Sequence, residues 1–331
     1  MKIIIDAMGG DRAPDEIVKG AALASREYDV SLVLVGDEKR INELLSETEA
    51  DLSKISVVHA DSVITMEDDP VSVVRAKKDS SMSVGLKLLK EDGDAFVSAG
   101  NTGALQVGGS LIVRTLDGVD RAAIATILPF RKPMLFMDSG ANVTVQPSYY
   151  RSWAVMGSVY MKNVMGVDSP TVGMLNNGTE EHKGTPVEQE AYKLLSDDEN
   201  ISFVGNIEGK ELMSSPCDVL VTDGFTGNIV IKTIEGMSKF FMSKLKDVFL
   251  SDLLTKIAYL IVKKPIYALK SAFDASEYGG APLLGLKKPV FKAHGSSDAL
   301  AIKNAVRQAI RFVETDVNGK IGASLAESKT E

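Results

Sequence analysis

The chain has 331 residues, 44% of them hydrophobic, and a net charge of −8 at pH 7. This length and composition predict a single domain over residues 1–318, built of two intergrown halves around a large core. The acidic balance argues against a general nucleic-acid binder, while one cysteine and three histidines exclude an intrachain disulfide and disfavour a zinc site.

The amino-terminal stretch "MKIIIDAMGG" has a short apolar run that meets Asp6 at once. It therefore predicts a first strand and not a signal peptide. No apolar run approaches the roughly 18 residues that a membrane span requires, so we expect a chain that does not cross a bilayer. The single cysteine fits a reducing cytoplasm, which is the location we expect.

Short apolar runs alternate with helix-length periodic segments along the chain. This pattern predicts a three-layer α/β/α fold with a mixed, mostly parallel sheet. One connection, "PFRKP", is too short for a parallel crossover and predicts a hairpin. The predicted strands, in chain order, are 2–5, 31–35, 55–58, 94–98, 122–128, 134–138, 171–175, 201–204 and 218–222.

Two helix starts are marked by capping residues. In "TPVE", Thr185 is the predicted cap, proline takes the first helical position and Glu188 closes a capping box. The last helix is predicted from about Asp298 through "ALAIKNAVRQAIRFVE", with one of the two preceding serines, Ser296 or Ser297, near its cap. Residues 319–331 are polar and weakly patterned, and predict a frayed tail.

Polar, glycine-rich loops follow the predicted strands. Because the carboxyl ends of strands in an open α/β sheet form the ligand crevice, we expect these loops to share one edge. Glycine permits close approach, and asparagine and threonine supply neutral donors and acceptors. The loops are "DAMGGD" (6–11), "SAGNTG" (98–103), "DSGAN" (138–142), "NNGTEEHKG" (176–184), "GNIEG" (205–209) and "DGFTGN" (223–228).

The kind of ligand is narrowed by what these loops lack. "DAMGGD" is not a dinucleotide fingerprint, and "GNTGALQVGGS" has no P-loop lysine. A small anion such as inorganic phosphate fits better, cradled by N–H groups near 101–103 or 226–228. Asp6, Asp138 and Asp223 could instead hold Mg²⁺, but strand-end aspartates are commonly turn or cap residues, and we predict neither metal nor cofactor.

Candidate nucleophiles are scarce. Cys217 precedes an apolar strand without a nearby histidine, which favours a structural role, and no G-x-S-x-G elbow occurs. His294 is either an acid/base group or a loop histidine. Lys183 is either an anion ligand or a solvated surface lysine.

Taken in order, and with "EYGGAPLLG" (277–285) and "HGSSD" (294–298), these motifs resemble the bacterial phosphate acyltransferases of phospholipid synthesis. The resemblance extends to about residue 315. It implies transfer of a long-chain acyl group from acyl carrier protein to inorganic phosphate, giving acyl phosphate for glycerol-3-phosphate acylation. It also implies a homodimer and an isopropylmalate-dehydrogenase-like, phosphotransacetylase-like fold.

That chemistry accounts for the missing nucleophile, since phosphate near neutral pH is already largely a dianion and can attack a thioester directly. Positioning can supply roughly 7–11 kcal/mol at best, and one oxyanion donor on the order of 10²–10³ in rate. We assign catalytic roles to His294, as acid for the leaving thiolate, and to Asn177 and Asp223. The expected phosphate or substrate contacts are Gly9, Gly10, Ser98, Gly100, Asn101, Thr102, Gly103, Asn142, Asn176, Thr179, Lys183, Thr226 and Asn228.

The stretch 239–270 carries seven lysines and two aspartates inside an acidic protein. Its "IAYLIV" run is apolar on every side of a helix, and Pro265 should break or kink that helix. We expect a protruding helical segment over 239–273. It is either a hairpin buried at a dimer interface or an amphipathic anchor on the inner membrane surface, and its lysines could also dock the acidic carrier protein. The expected contacts are Lys244, Leu254, Lys256, Ile257, Leu260, Ile261, Lys263 and Lys264.

Two other readings stay open. A phosphotransacylase that uses coenzyme A would need the same crevice, and a non-catalytic acyl-ligand sensor or membrane scaffold would bind ligand without phosphate-dependent thiol release. If the acyl phosphate is passed on at the membrane, the membrane glycerol-3-phosphate acyltransferase is a further expected partner.

Overall fold

The structure is a computed structural model that describes residues 1–272 and 279–327. The strands are β1 Lys2–Asp6, β2 Ser31–Gly36, β3 Ile55–His59, β4 Ala95–Ser98, β5 Ala123–Ile124, β6 Thr126–Pro129, β7 Pro133–Met137, β8 Thr171–Asn176, β9 Ser202–Glu208, β10 Val219–Val221, β11 Ala281–Leu284 and β12 Val290–Lys292. The α-helices are α1 Asp15–Glu27, α2 Glu38–Ser46, α3 Ser81–Asp92, α4 Thr102–Gly108, α5 Pro147–Asn163, α6 Pro186–Asp197, α7 Gly224–Leu250, α8 Leu253–Ala272, α9 Ala299–Glu314 and α10 Val317–Glu327.

The predicted α/β class with mostly parallel strands is confirmed, but the strands are divided over two sheets. The first has the order β3-β2-β1-β4-β12-β11-β5 and the second β6-β7-β10-β8-β9. β6 and β7 form the predicted antiparallel hairpin. The single strand expected over 122–128 is split into β5 and β6, which belong to different sheets.

Two strands of the first sheet, β11 and β12, were not predicted. β12 runs parallel to β4, so its carboxyl end lies beside those of β1 and β4. In the second sheet, β9 reaches Glu208, so Gly205 and Asn206 of the expected loop 205–209 lie inside a strand. Gly205 has a φ of +92° at an irregularity in the β8–β9 register, which is why the sequence there resembles a turn.

One core cluster extends across both sheets. It contains Ile3 of β1, Val97 of β4, Leu135 of β7 and Val219 of β10, with Phe312 of α9, all at most 2% exposed. Such residues alternate along their strands because successive side chains point to opposite faces. The shared core fixes the two sheets relative to each other, and with them the loops at their carboxyl ends.

The helix ends confirm part of the sequence analysis. Thr185 and Glu188 form the predicted capping box of α6. The cap of α9 is Asp298, whose side chain accepts a hydrogen bond from Ala301 N. The frayed tail expected from residue 319 is wrong as far as residue 327, because α10 buries Ile321 and Leu325 against the core. Residues 328–331 lie outside the described part of the chain.

α7 and α8 form a helical hairpin. The expected helical segment over 239–272 is present, although α7 begins further back, at Gly224. α8 runs through Pro265, so the expected break does not occur: a proline removes one N–H donor, while the other hydrogen bonds continue the helix. Residue 273, and Glu277 and Tyr278 of the "EYGGAPLLG" motif, lie outside the described residues. No helix in the described ranges is long and apolar enough to cross a membrane.

Candidate active site

The loops after β1 and β4 are joined by a buried hydrogen bond. Ser98 Oγ donates to Asp6 Oδ2 over 2.7 Å and accepts from Gly100 N over 3.0 Å. A Cβ on Gly9 would lie 2.5 Å from Asp6 Oδ2 and 2.8 Å from Gly100 N, so only glycine allows the two backbones this close. Burial raises the pKa of Asp6, against the opposing effect of its hydrogen bonds. The structure thus brings together Gly9, Gly10, Ser98 and Gly100.

Asn101 has a structural task at the start of α4. Its Oδ1 accepts from Ala104 N over 3.0 Å, and its Nδ2 donates to Thr65 O over 3.1 Å. A Cβ on Gly103 would lie 2.8 Å from a carbon of Pro70, so the segment around residues 65–70 covers this helix start. Both ends of the Asn101 amide are therefore engaged in hydrogen bonds within the protein. Phosphate contacts from this turn remain a prediction.

The loop after β12 completes the edge of the first sheet. Ala293 N donates to Ser98 O over 2.9 Å, and Asp11 N donates to Gly295 O over 2.8 Å. Lys292 is partly buried beside them, and its Nζ donates to Ala99 O over 3.1 Å. Backbone hydrogen bonds thus hold the three loops together, and Lys292 places a cationic group beside them.

His294 stands at the tip of this loop. Its side chain is 50% exposed, and its Nδ1 accepts a hydrogen bond from Ser296 N over 3.2 Å. That bond assigns the proton of the neutral ring to Nε2, which lies 3.9 Å from Glu235 Oε1 of α7. Burial lowers the pKa of His294, while the charge of Glu235 opposes that shift.

At the edge of the second sheet, Asp138 organises the loop after β7. Its carboxylate accepts from the N–H groups of Ile124, Gly140 and Asn142, at 3.1, 3.1 and 2.6 Å. Burial raises the pKa of Asp138, and these hydrogen bonds oppose the shift. A Cβ on Gly227 would lie 1.9 Å from Asp138 O, so α7 packs directly against the end of β7.

The two edges face each other, which corrects the expectation of one shared edge. Gln106 Nε2 of α4 donates to Asn142 Oδ1 over 3.2 Å. Asn142 also donates to Ala122 O and Asp138 Oδ2, each over 2.9 Å. With the approach of His294 to Glu235, these contacts bring the two edges together, and they make Asn142 a structural bridge. We call the boundary between the two edges the cleft.

The start of α7 holds three predicted residues. Asp223 is the cap, and its Oδ1 accepts from Thr226 N over 2.9 Å. Asn228 is exposed, beside Gly140. Asp6, Asp138 and Asp223 thus serve separate hydrogen-bond networks. Within residues 1–272 and 279–327, no three His, Cys, Asp or Glu side chains are grouped so that they could hold a metal ion.

The loop after β8 forms the far part of the second edge. Asn176 Nδ2 donates to Lys183 O and Asn206 Oδ1, both over 3.2 Å, so this side chain stabilises the loop. Asn177 and Thr179 are exposed. Lys183 Nζ lies 3.9 Å from Glu180 Oε2, a loose ion pair that leaves both readings of this lysine open.

The predicted contacts on the hairpin are mostly exposed. The exposed fraction of the residue is 79% for Leu254, 73% for Leu260 and 78% for Ile261. Lys244 Nζ lies 5.9 Å from the ring centre of Phe240 and pairs with Asp247 over 3.5 Å. Lys256, Ile257, Lys263 and Lys264 are exposed on α8 as well.

Sequence reasoning missed Lys292, Lys232 and Glu235. β12 was not identified as a strand, so Lys292 was not placed at a strand end, although it stands two residues before His294. Lys232 and Glu235 resemble surface residues of an ordinary helix. Cys217 is buried, as its interpretation as a structural residue required, and burial raises its pKa to about 12.

A family model described as "Fatty acid synthesis protein" matches residues 1–320. Among curated proteins, the phosphate acyltransferase of Acetivibrio thermocellus is 45% identical over 100% of this chain and 98% of its own length. The phosphate acyltransferase of Geobacillus thermodenitrificans is 46% identical over 98% of this chain and 99% of its own length.

Solved structures share the fold at low identity. A phosphotransacetylase from Streptococcus pyogenes has a TM-score of 0.63 and 17% identity, covering 95% of this chain and 94% of its own. A branched-chain phosphotransacylase from Enterococcus faecalis has a TM-score of 0.55 and 14% identity, covering 95% of this chain and 99% of its own.

Proposed function

Since this chain belongs to the phosphate acyltransferase family and is an acyltransferase, we propose that it moves a long-chain acyl group from acyl carrier protein to inorganic phosphate. The product, an acyl phosphate, then serves glycerol-3-phosphate acylation in phospholipid synthesis. One observation carries the proposal beyond the family: three glycine-rich loops converge beside Lys292 and His294 and face α7 across a cleft. That cleft offers backbone donors and positive charge to an anion.

In the proposed reaction, an oxygen of hydrogen phosphate attacks the thioester carbonyl, the C–O bond forms and the C–S bond breaks. The proton that the phosphate carried ends on the departing thiol, so the step balances without a second base. In the imidazolium form, His294 Nδ1–H can donate to Ser296 Oγ, which lies 2.8 Å away, in place of the bond from Ser296 N. This imidazolium supplies a proton from Nε2 to the thiolate, and the phosphate proton restores Nε2. Cys217 takes no part, because its raised pKa keeps the buried thiol protonated.

The hairpin of α7 and α8 gives the enzyme a surface for hydrophobic partners. Exposed Leu254, Leu260 and Ile261 stand among lysines, a combination that suits an anionic membrane surface. We place the protein in the cytoplasm at the inner face of the membrane, as a homodimer, where its product passes to the membrane glycerol-3-phosphate acyltransferase. The same lysines suit the acidic carrier protein.

The acyl donor is tested with two thioesters of the same acyl group, one on acyl carrier protein and one on coenzyme A. Thiol release from each is measured with and without phosphate. The proposal expects phosphate-dependent release and a higher kcat/KM for the carrier-protein thioester. A higher kcat/KM for coenzyme A would make the chain a coenzyme A phosphotransacylase. Binding of either thioester without phosphate-dependent release would indicate an acyl-ligand sensor or scaffold.

A further inference from the structure

Lys292 lies where the carboxyl ends of β4 and β12 meet. Its ammonium group donates to Ala99 O over 3.1 Å and to the carbonyl of Ala293. An ammonium group has three donors, and the third has no acceptor in the part of the chain that the structure describes. The two carbonyls hold the Nζ atom in place at the cleft, with one N–H left for a ligand.

The surroundings of Lys292 do not neutralise it fully. Burial lowers the pKa of Lys292 to about 8, while the charges of Asp11 and Asp6 oppose that shift and the charge of Lys232 adds to it. Asp6 is itself a weak counter-charge, since burial raises its pKa. The ammonium of Lys292 thus stays partly desolvated at neutral pH without a carboxylate within salt-bridge distance among the described residues.

A second cation faces this loop from α7. Lys232 is linked to this loop through Glu235, whose Oε1 lies 3.9 Å from His294 Nε2. The positive charges of Lys232 and Lys239 lower the pKa of His294, and that of Lys232 also lowers the pKa of Lys292. Glu235 is the acidic residue on this side, and it pairs with Lys232 over 2.9 Å. Lysines of two separate elements therefore converge on His294 although the whole chain has a net charge of −8.

We infer that Lys292, with Lys232 facing it from α7, binds the inorganic phosphate substrate between the two sheets, next to His294. The inference rests on the proposed function for the identity of the anion. Lysine binds phosphate as a compact point charge, and the bound dianion would offset the mutual repulsion of the two lysines. This location puts the attacking oxygen beside His294. The Asn101 side chain at the start of α4, by contrast, is already engaged in hydrogen bonds within the protein.

The test uses Lys292→Met, which keeps most of the side-chain volume and removes the charge. Lys288→Met is the matched control, because Lys288 Nζ also donates to a backbone carbonyl, Gly93 O, over 2.8 Å. Gly93 precedes the start of β4, so this contact lies away from the cleft. Phosphate binding is measured by calorimetry without acyl donor, and KM is measured for phosphate and for the acyl thioester separately. We expect at least tenfold weaker phosphate binding and a tenfold higher phosphate KM for Lys292→Met, with an unchanged thioester KM and an unchanged control.

Lys232→Met is the second variant, since this lysine is 58% exposed and its loss should not impair folding. It should weaken phosphate binding at least threefold. The inference is overturned if both variants bind phosphate within twofold of the unmodified protein, or if the thioester KM alone rises. Should Lys292→Met not fold, Lys232→Met decides. If the unmodified protein itself neither binds phosphate nor releases thiol with it, the proposed function fails instead.

Discussion

His294 Nε2 lies 3.9 Å from Glu235 Oε1, and this pair joins the loop after β12 to α7 across the cleft between the sheets. Burial lowers the pKa of His294 and the carboxylate of Glu235 opposes the shift, so the two effects compete at one imidazole. The balance sets the fraction of imidazolium that is present to protonate a leaving thiolate at neutral pH.

Replacing Glu235 with glutamine should therefore lower the pKa of His294 further. The measurement is an NMR titration of the Cε1–H signal of the His294 imidazole. That signal is assigned as the one that is missing from the spectrum of His294→Asn. Glu181→Gln, beside His182 in another loop, is the control and should leave the His294 titration unchanged. An unaltered pKa in Glu235→Gln would show that the carboxylate does not act on this histidine.

Asn101 should matter for stability more than Asn177 does. Asn101→Ala removes the cap of α4 and the bond to Thr65 O, which should lower the free energy of unfolding by about 1–3 kcal/mol. Asn177 is exposed, so Asn177→Ala should change stability by less than about 0.5 kcal/mol. Urea unfolding measures both. Equal stability of the two variants would contradict the structural role of Asn101.

The segment that covers α4 should lose stability in acid. Asp68 accepts hydrogen bonds from Lys77 Nζ and Thr65 N, both over 2.7 Å, and these bonds lower its pKa to about 2. Since that value lies below the unfolded one of about 4, the carboxylate stabilises the fold above pH 4 and this contribution is lost as the pH falls towards 2. The stability difference between the unmodified protein and Asp68→Asn should shrink over that range. Asp29→Asn, at a fully exposed side chain that pairs with Lys54 on the surface, is the comparison. A pH-independent difference for Asp68→Asn would refute the prediction.

The exposed apolar residues of the hairpin should mediate binding to the membrane. Leu254→Glu or Ile261→Glu should reduce flotation with vesicles of anionic phospholipid at least tenfold, because a buried leucine or isoleucine contributes about 1.5–3 kcal/mol. Leu52→Glu changes a residue that is 60% exposed elsewhere on the surface and should float as the unmodified protein does. Undiminished flotation of folded hairpin variants would count against the anchor.

The sequence was sufficient to predict those structural features that depend on residues close together in the chain. The capping box at Thr185, the β6–β7 hairpin and β1 all follow from adjacent residues. The division into two sheets, and the short strands β11 and β12, depend on pairing between segments far apart in the chain, which periodicity does not report. The burial of Ile321 likewise comes from packing of α10 on the core.

The candidate site was predictable as a set of loops but not residue by residue. An asparagine after a strand has the same sequence signature whether it caps a helix, as Asn101 does, or is exposed, as Asn177 is. Lys292 carried no motif of its own, and its importance follows from the neighbours that the fold assembles around its ammonium group.

In the proposed reaction, phosphate attacks the acyl thioester directly and no side chain is acylated. A single-turnover experiment with labelled acyl-acyl-carrier-protein and excess enzyme tests it, with phosphate added or withheld and the protein quenched for mass analysis. We expect that thiol appears only with phosphate and that the protein mass never increases by an acyl group. A stoichiometric burst of thiol without phosphate, with an acylated protein that later yields acyl phosphate, would show instead that a side chain is acylated during turnover.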